Sequence, residues 1–202
     1  MSRKKVCIVD YGMGNITSMV NAFSYLGFDP ELVSEPDLLS NYDNIVLPGV
    51  GAFAKAMYQL RRTKLDESIV EAAKNGKKIL GICLGMQLLF SRSFEFGETK
   101  GLGLVEGDVL PFEKNIVETI PHVGWNNVIS QNSLYDDFCG DYYFVHSYFC
   151  QPVDFDNITL SSSYGITFCS GVSLNNQVIG LQFHPEKSQG LGLRLLEKVI
   201  NA

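Results

Sequence analysis

The chain has 202 residues, 46% hydrophobic and 19% charged, with 22 acidic against 16 basic side chains and a net charge of −6. That much apolar material at this length suffices for one large core and excludes intrinsic disorder. The acidic balance, with no basic stripe, excludes binding to nucleic acid or an anionic membrane through bulk charge.

Residues 6–9 predict a buried strand after Arg3, Lys4 and Lys5, and Asp10 ends the apolar run too early for a secretory signal. A glycine loop over 12–15 leads into a helix over 16–26, with Gly27 as its cap. Residues 31–33 and 44–47 are the next strands, the latter cut off by Pro48 and Gly49. A helix over 66–74 stops at Asn75 and Gly76, a strand follows over 78–82, and a helix over 84–91 comes next. Strand–helix alternation of this kind predicts a parallel sheet covered on both faces.

After Gly101 the pattern turns β-rich, with strands expected over 109–112, 125–129, 142–148, 158–162, 167–174 and 178–183, and a last helix over 190–200. Asn175 and Asn176 read as a hairpin turn. The expected fold is α/β: a mostly parallel central sheet flanked by helices, with a β-rich second half, in one domain over 1–202. The longest apolar stretch, 79–90, contains Gln87 and falls short of the ~18 residues of a membrane span. Five cysteines, at 7, 83, 139, 150 and 169, include no C-x-x-C pair, which argues against a disulfide framework or a zinc site and for reduced thiols in the cytoplasm. Core packing is the expectation for Cys7, Cys139, Cys150 and Cys169, and a structural loop position for His122. The Gly12–Gly14 pair resembles a dinucleotide fingerprint, but Thr17 stands where its third glycine belongs. No metal or organic cofactor is expected.

Cys83 lies in Gly81-Ile82-Cys83-Leu84-Gly85, between a strand and a helix. Small residues two positions either side of a nucleophile permit a sharp strand–turn–helix elbow, which projects the side chain at a helix N-terminus. His184, in His184-Pro185-Glu186, closes a later strand and can serve as the base, with Glu186 orienting its ring.

The strings Gly81-Ile82-Cys83-Leu84-Gly85-Met86-Gln87 and Gln182-Phe183-His184-Pro185-Glu186 resemble the two signatures of class I (triad) glutamine amidotransferases. Further strings resemble the branch containing the glutaminase subunits of imidazole glycerol phosphate synthase. They are Asp10-Tyr11-Gly12-Met13-Gly14-Asn15, Pro48-Gly49-Val50-Gly51, Pro121-His122-Val123-Gly124-Trp125-Asn126, Tyr143-Phe144-Val145-His146-Ser147-Tyr148 and His184-Pro185-Glu186-Lys187-Ser188.

The resemblance implies hydrolysis of L-glutamine by Cys83, His184 and Glu186, through a γ-glutamyl thioester. It implies an oxyanion hole from Leu84 and from Val50 or Gly51, and substrate contacts at Gln87, Ser147 and Gly49. It also implies ammonia channelling to a (β/α)8-barrel cyclase subunit in a heterodimer of histidine biosynthesis, with Asn15, Trp125 and Lys187 at the interface. Two other readings stay open. The stretch from Asp10 to Ser18 looks equally like paralogues that supply ammonia in bacterial surface-sugar biosynthesis. Cysteine peptidases and chaperone-like proteins share the elbow, but they normally lack the His184-Pro185-Glu186 triple. A regulatory scaffold without chemistry is disfavoured by the intact triad.

Overall fold

A computed structural model describes residues 3–117 and 119–202. Its first half is β1 (Lys5–Val9), α1 (Ile16–Tyr25), β2 (Asp29–Val33), β3 (Asn44–Leu47), α2 (Phe53–Thr63), α3 (Leu65–Lys74), β4 (Lys78–Ile82) and α4 (Leu84–Leu88). The second half is β5 (Phe90–Ser93), β6 (Thr99–Lys100), β7 (Val105–Pro111), β8 (His122–Ser130), β9 (Gly140–His146), β10 (Tyr148–Pro152), β11 (Ile158–Tyr164), β12 (Ile166–Leu174), β13 (Val178–Leu181) and α5 (Gln189–Asn201).

The strands run in the order β2-β1-β3-β4-β13-β12-β10-β7-β5-β6, and β11, β8 and β9 branch from β12 as a second layer. The five strands from β2 to β13 are all parallel. The parity of each parallel strand separates two cores. Cys7, Val9, Ile45, Leu47 and Ile79 face Phe53, Met57 and Leu60 of α2 and Ile69 of α3. Val6, Ile8, Val46, Leu80 and Ile82 face Met19 and Phe23 of α1 and Leu195, Leu196 and Val199 of α5. Period-2 alternation between two apolar faces is what makes these strands read as unbroken hydrophobic runs.

α1 ends as expected. Gly27 has φ +83°, its N–H donates to Ser24 O and the Phe28 N–H donates to Phe23 O, while the Phe23 and Phe28 rings meet edge to face. This is a Schellman cap with its apolar contact. Asn175 and Asn176 both take positive φ, and Gln177 N–H closes the turn on Leu174 O, as a two-residue hairpin requires.

Four expectations need correction. The helix expected over 84–91 ends at Leu88, and Phe90–Ser93 is a strand. The chain turns into the sheet there, and the carbonyls of Leu88, Leu89 and Phe90 accept from the N–H groups of Leu102, Leu104 and Gly103. The strand expected over 142–148 is two strands: β9 pairs with β8, β10 pairs with β7, and the chain changes ribbon at Ser147. Cys139 is exposed rather than packed in the core, because it follows the short turn Ser133–Phe138 at the rim of the second layer. His122 opens a strand instead of lying in a loop. No helix among the described residues is long and apolar enough to cross a membrane.

Candidate functional site

Cys83 follows β4 and is the N-cap of α4, at φ +53° and ψ −109°. A left-handed conformation at a non-glycine residue stores on the order of 1–3 kcal/mol and persists only when its surroundings hold it. Here the constraint is steric. A Cβ on Gly81 would lie 2.6 Å from Gly85 O, and one on Gly85 would lie 1.8 Å from Leu47 O. Both glycines let α4 turn back against β4 and β3. The Cys83 N–H donates to Leu181 O at 2.7 Å, tying the elbow to β13. The side chain is 5% exposed. Burial pushes the Cys7 and Cys169 thiols up to about 12 and raises Cys150 well above its ordinary value, so these three are protonated spectators.

β13 also delivers His184. Its N–H donates to Tyr143 O at 2.9 Å, and its Nδ1 meets Glu186 Oε1 at 2.8 Å. The turn Pro185–Lys187 folds the carboxylate under the ring, and the Ser188 hydroxyl donates to His184 O. The carboxylate fixes the proton on Nδ1 and leaves Nε2 as the acceptor. Nε2 is buried without a hydrogen-bond partner. Burial opposes a charge on this ring, but Cys83 and Glu186 outweigh it and raise the pKa to about 10. Both partners therefore favour a proton on this imidazole.

A cavity of about 280 Å³ opens over Cys83. Val50, Gly51, Leu84, Gln87 and Ser147 line it, so five of the expected site residues converge with the nucleophile. Gly49 does not line it but lies beneath it. A Cβ there would meet the Tyr11 hydroxyl at 2.6 Å and Leu84 Cβ at 3.0 Å, and the same hydroxyl donates to Pro48 O at 2.8 Å. Gly49 thus seats the 48–51 loop on the elbow, and Gly51 follows at φ +104°. Gln87 spends its amide N–H₂ on Tyr148 O and Gln182 Oε1, at 3.1 and 3.2 Å, which leaves its own oxygen as the acceptor for a ligand.

Glu95 also lines the cavity and has no counterpart in the sequence analysis. It lies between β5 and β6, where its Oε2 accepts from Phe53 N at 2.5 Å at the start of α2. Its neighbours in sequence carry no signal for this, because the approach is made by the sheet's far edge. Pro121 and Val145 complete the wall.

Of the three expected interface residues, Trp125 and Lys187 are brought together. Trp125 is 51% exposed, its ring meets Tyr143 edge to face, and Lys187 Nζ lies 5.8 Å from the Tyr143 centroid. Asn15 caps α1, its side chain accepting from Ser18 N, and this helix packs on the Pro185–Lys187 turn.

A protein-family model described as glutamine amidotransferase class-I matches residues 7–201. The imidazole glycerol phosphate synthase subunit HisH of Rhodopirellula baltica is 42% identical over 200 residues, covering 98% of this chain and 97% of that protein. The subunit of the same name from Lacticaseibacillus casei is 44% identical, covering 96% and 93%. Among solved structures, PurLQS from Thermotoga maritima superposes with a TM-score of 0.77 at 24% identity, covering 99% of both chains. A glutamine amidotransferase from the same organism gives 0.64 at 18% identity, covering 100% and 84%. These two likenesses establish the fold, and the first two establish descent. A nucleophile elbow, a carboxylate-backed histidine and an end-to-end match in sequence lead to one conclusion: the chain belongs to the class-I glutamine amidotransferases.

Proposed function

We propose that this chain is the glutaminase subunit of an imidazole glycerol phosphate synthase of histidine biosynthesis, working in the cytoplasm as a heterodimer with a (β/α)8-barrel cyclase. Its 202 residues act as one amidotransferase domain. The observation that carries the reading is His184 held by Glu186 at 2.8 Å beside Cys83, in a chain 42% identical to subunits of that name.

The Cys83 sulfur attacks the glutamine carboxamide carbon while His184 Nε2 takes the thiol proton. The tetrahedral oxyanion is met by Leu84 N–H, one of the partnerless first-turn donors of α4, and by an N–H of Val50 or Gly51. The C–N bond breaks, His184 returns the proton to the nitrogen, and ammonia leaves a γ-glutamyl thioester. Water then attacks the thioester with His184 as base, and glutamate departs with the thiol restored. Glu186 holds the imidazole tautomer throughout. Ser147 and the Gln87 oxygen orient the substrate, and the Glu95 carboxylate is the natural partner for its α-ammonium group. Asn15, Trp125 and Lys187 contact the cyclase, so ammonia leaves towards the acceptor nucleotide.

The test mixes this chain with the cyclase subunit of its own organism and follows glutamate release with and without the histidine-pathway nucleotide. Strong stimulation by the nucleotide, lost in Cys83→Ala, supports the reading. A flat response, with a cyclase competent on free ammonia, refutes the histidine pathway and moves the chain to the surface-sugar paralogues.

A further inference from the structure

His122 and His146 are direct cross-strand partners at the end of the β8–β9 ribbon, and the mechanism above uses neither. His122 Nδ1 lies 2.9 Å from His146 Nε2, and His146 Nδ1 lies 2.8 Å from Tyr148 O. At the other end, Asn126 Nδ2 reaches His122 Nε2 at 3.2 Å.

The direction of this chain can be derived. Asn126 Nδ2 also donates to Ser163 O at 2.9 Å, while its Oδ1 accepts from Asn127 N at 2.8 Å. A carbonyl cannot donate and a backbone N–H cannot accept, so the amide orientation is fixed. His122 Nε2 must then accept, and its proton sits on Nδ1. That proton is donated to His146 Nε2, so His146 carries its own proton on Nδ1 and gives it to Tyr148 O. Every bond points from Asn126 towards Tyr148, and both rings are neutral.

The surroundings enforce neutrality. His122 is stacked between Phe144 and Tyr164, with ring centroids 4.9 and 4.0 Å away. His146 packs against Phe112 and Phe168, both at 5.3 Å. Burial pulls His122 down to about 4. Burial also pulls His146 down to about 3, aided by His122 and His184 and opposed by the bond to Tyr148 O.

The inner end matters for the cavity. Tyr148 O accepts from His146 and also from Gln87 Nε2 at 3.1 Å, and His146, Tyr148 and Gln87 all line the cavity over Cys83. The outer end, Asn126, lies on β8 next to Trp125 and three residues from Val123, which are 51% and 55% exposed. We propose that His122 and His146 are positioning residues: a one-way imidazole relay that ties exposed strand β8 to the Tyr148 carbonyl and so holds Gln87 where glutamine binds. A displacement of β8 is then felt at the substrate pocket, in keeping with the glutaminase reading on which this rests.

Two substitutions at one site separate relay from packing. In His146→Asn the amide nitrogen occupies the Nδ1 position and still donates to Tyr148 O; in His146→Gln the amide lies at the Nε2 position, keeps an acceptor for His122 and cannot reach Tyr148 O. This pair tests the inner bond of the relay, and the ring tautomers test the outer one. In the complex with the cyclase subunit, His146→Gln should raise the glutamine KM about tenfold while kcat stays within about twofold, and His146→Asn should recover most of that loss. Equal effects from both would overturn the relay. A second readout needs no substitution in the relay's function. The chain has three histidines, so their imidazole ¹⁵N signals are readily assigned, and His122 and His146 should both be neutral Nδ1–H tautomers at pH 7. A cation or an Nε2–H tautomer at either ring overturns it. A wild-type complex that leaves glutamine intact refutes the glutaminase reading instead, and the tautomer signals then decide the relay alone.

Discussion

Replacing Gly85 by alanine tests the elbow at its tightest point. The new Cβ would lie 1.8 Å from Leu47 O and 2.8 Å from Leu47 C. An ordinary carbon–oxygen contact is about 3.3 Å, so α4 and β3 must part by roughly 1.5 Å. The obstacle is backbone inside the parallel sheet, and no rotamer change relieves it. The cost therefore sits at the upper end of overpacking, about 3 kcal/mol. For a domain of this size that lowers Tm by about 6–12 °C. A displacement of ~1 Å at the nucleophile should also cost about 100-fold in glutaminase rate. Gly190→Ala is the control. It lies in α5 with no heavy atom within 4 Å of the new Cβ, and alanine there should raise Tm by about 1–4 °C. Calorimetry and glutamate release in the cyclase complex read both variants. Gly85→Ala melting within about 2 °C of wild type with full activity would refute the steric account of the elbow.

Glu186→Gln removes the carboxylate that backs His184 at 2.8 Å, and should lower kcat by roughly 10²–10⁴ with little change in the glutamine KM. Against burial, Cys83 and then Glu186 raise the native pKa of His184 to about 10, above the ordinary 6.5, and Glu186→Gln removes only the second share. The stabilising contribution of His184 is thus complete below about pH 6.5 and is lost as pH rises towards 10. Thermal melts should show wild type losing its advantage over Glu186→Gln across that window; a constant or growing gap would contradict the sign. Glu95→Gln keeps an acceptor for Phe53 N but removes the charge, so the glutamine KM should rise at least tenfold in steady-state assays. Trp125→Ala, at a half-exposed position, should weaken cyclase binding by about 2 kcal/mol in titration calorimetry and leave Tm unchanged.

The parallel half of the fold was legible because each strand there is a short apolar run between helices, and the strands expected over 44–47 and 78–82 coincide with β3 and β4. The site core was legible for a related reason. An elbow is contiguous in sequence, so Gly81, Cys83 and Gly85 announce it, and His184-Pro185-Glu186 folds its carboxylate back within two residues. What depended on distant pairing was not. Sequence reading leaves 53–63 without an element, although Phe53, Ala56, Met57 and Leu60 recur at helical spacing and are buried on one face of α2. The helix over 84–91 reads well locally and is cut short because Phe90–Ser93 pairs with β7 as a strand, with Leu102, Gly103 and Leu104 donating to the carbonyls at the junction. Glu95 reaches the cavity through the same edge. His122 and His146 stand 24 residues apart and meet only because β8 and β9 are in that register.

The central claim is that Cys83 carries the glutamyl group. The most direct measurement is rapid quenching of the cyclase complex during glutamine turnover in acid, followed by peptide mass mapping of all five cysteines. A glutamyl thioester on Cys83, absent from Cys83→Ala, is the predicted result. An adduct on the exposed Cys139, or sustained glutamate release by Cys83→Ala, would contradict it.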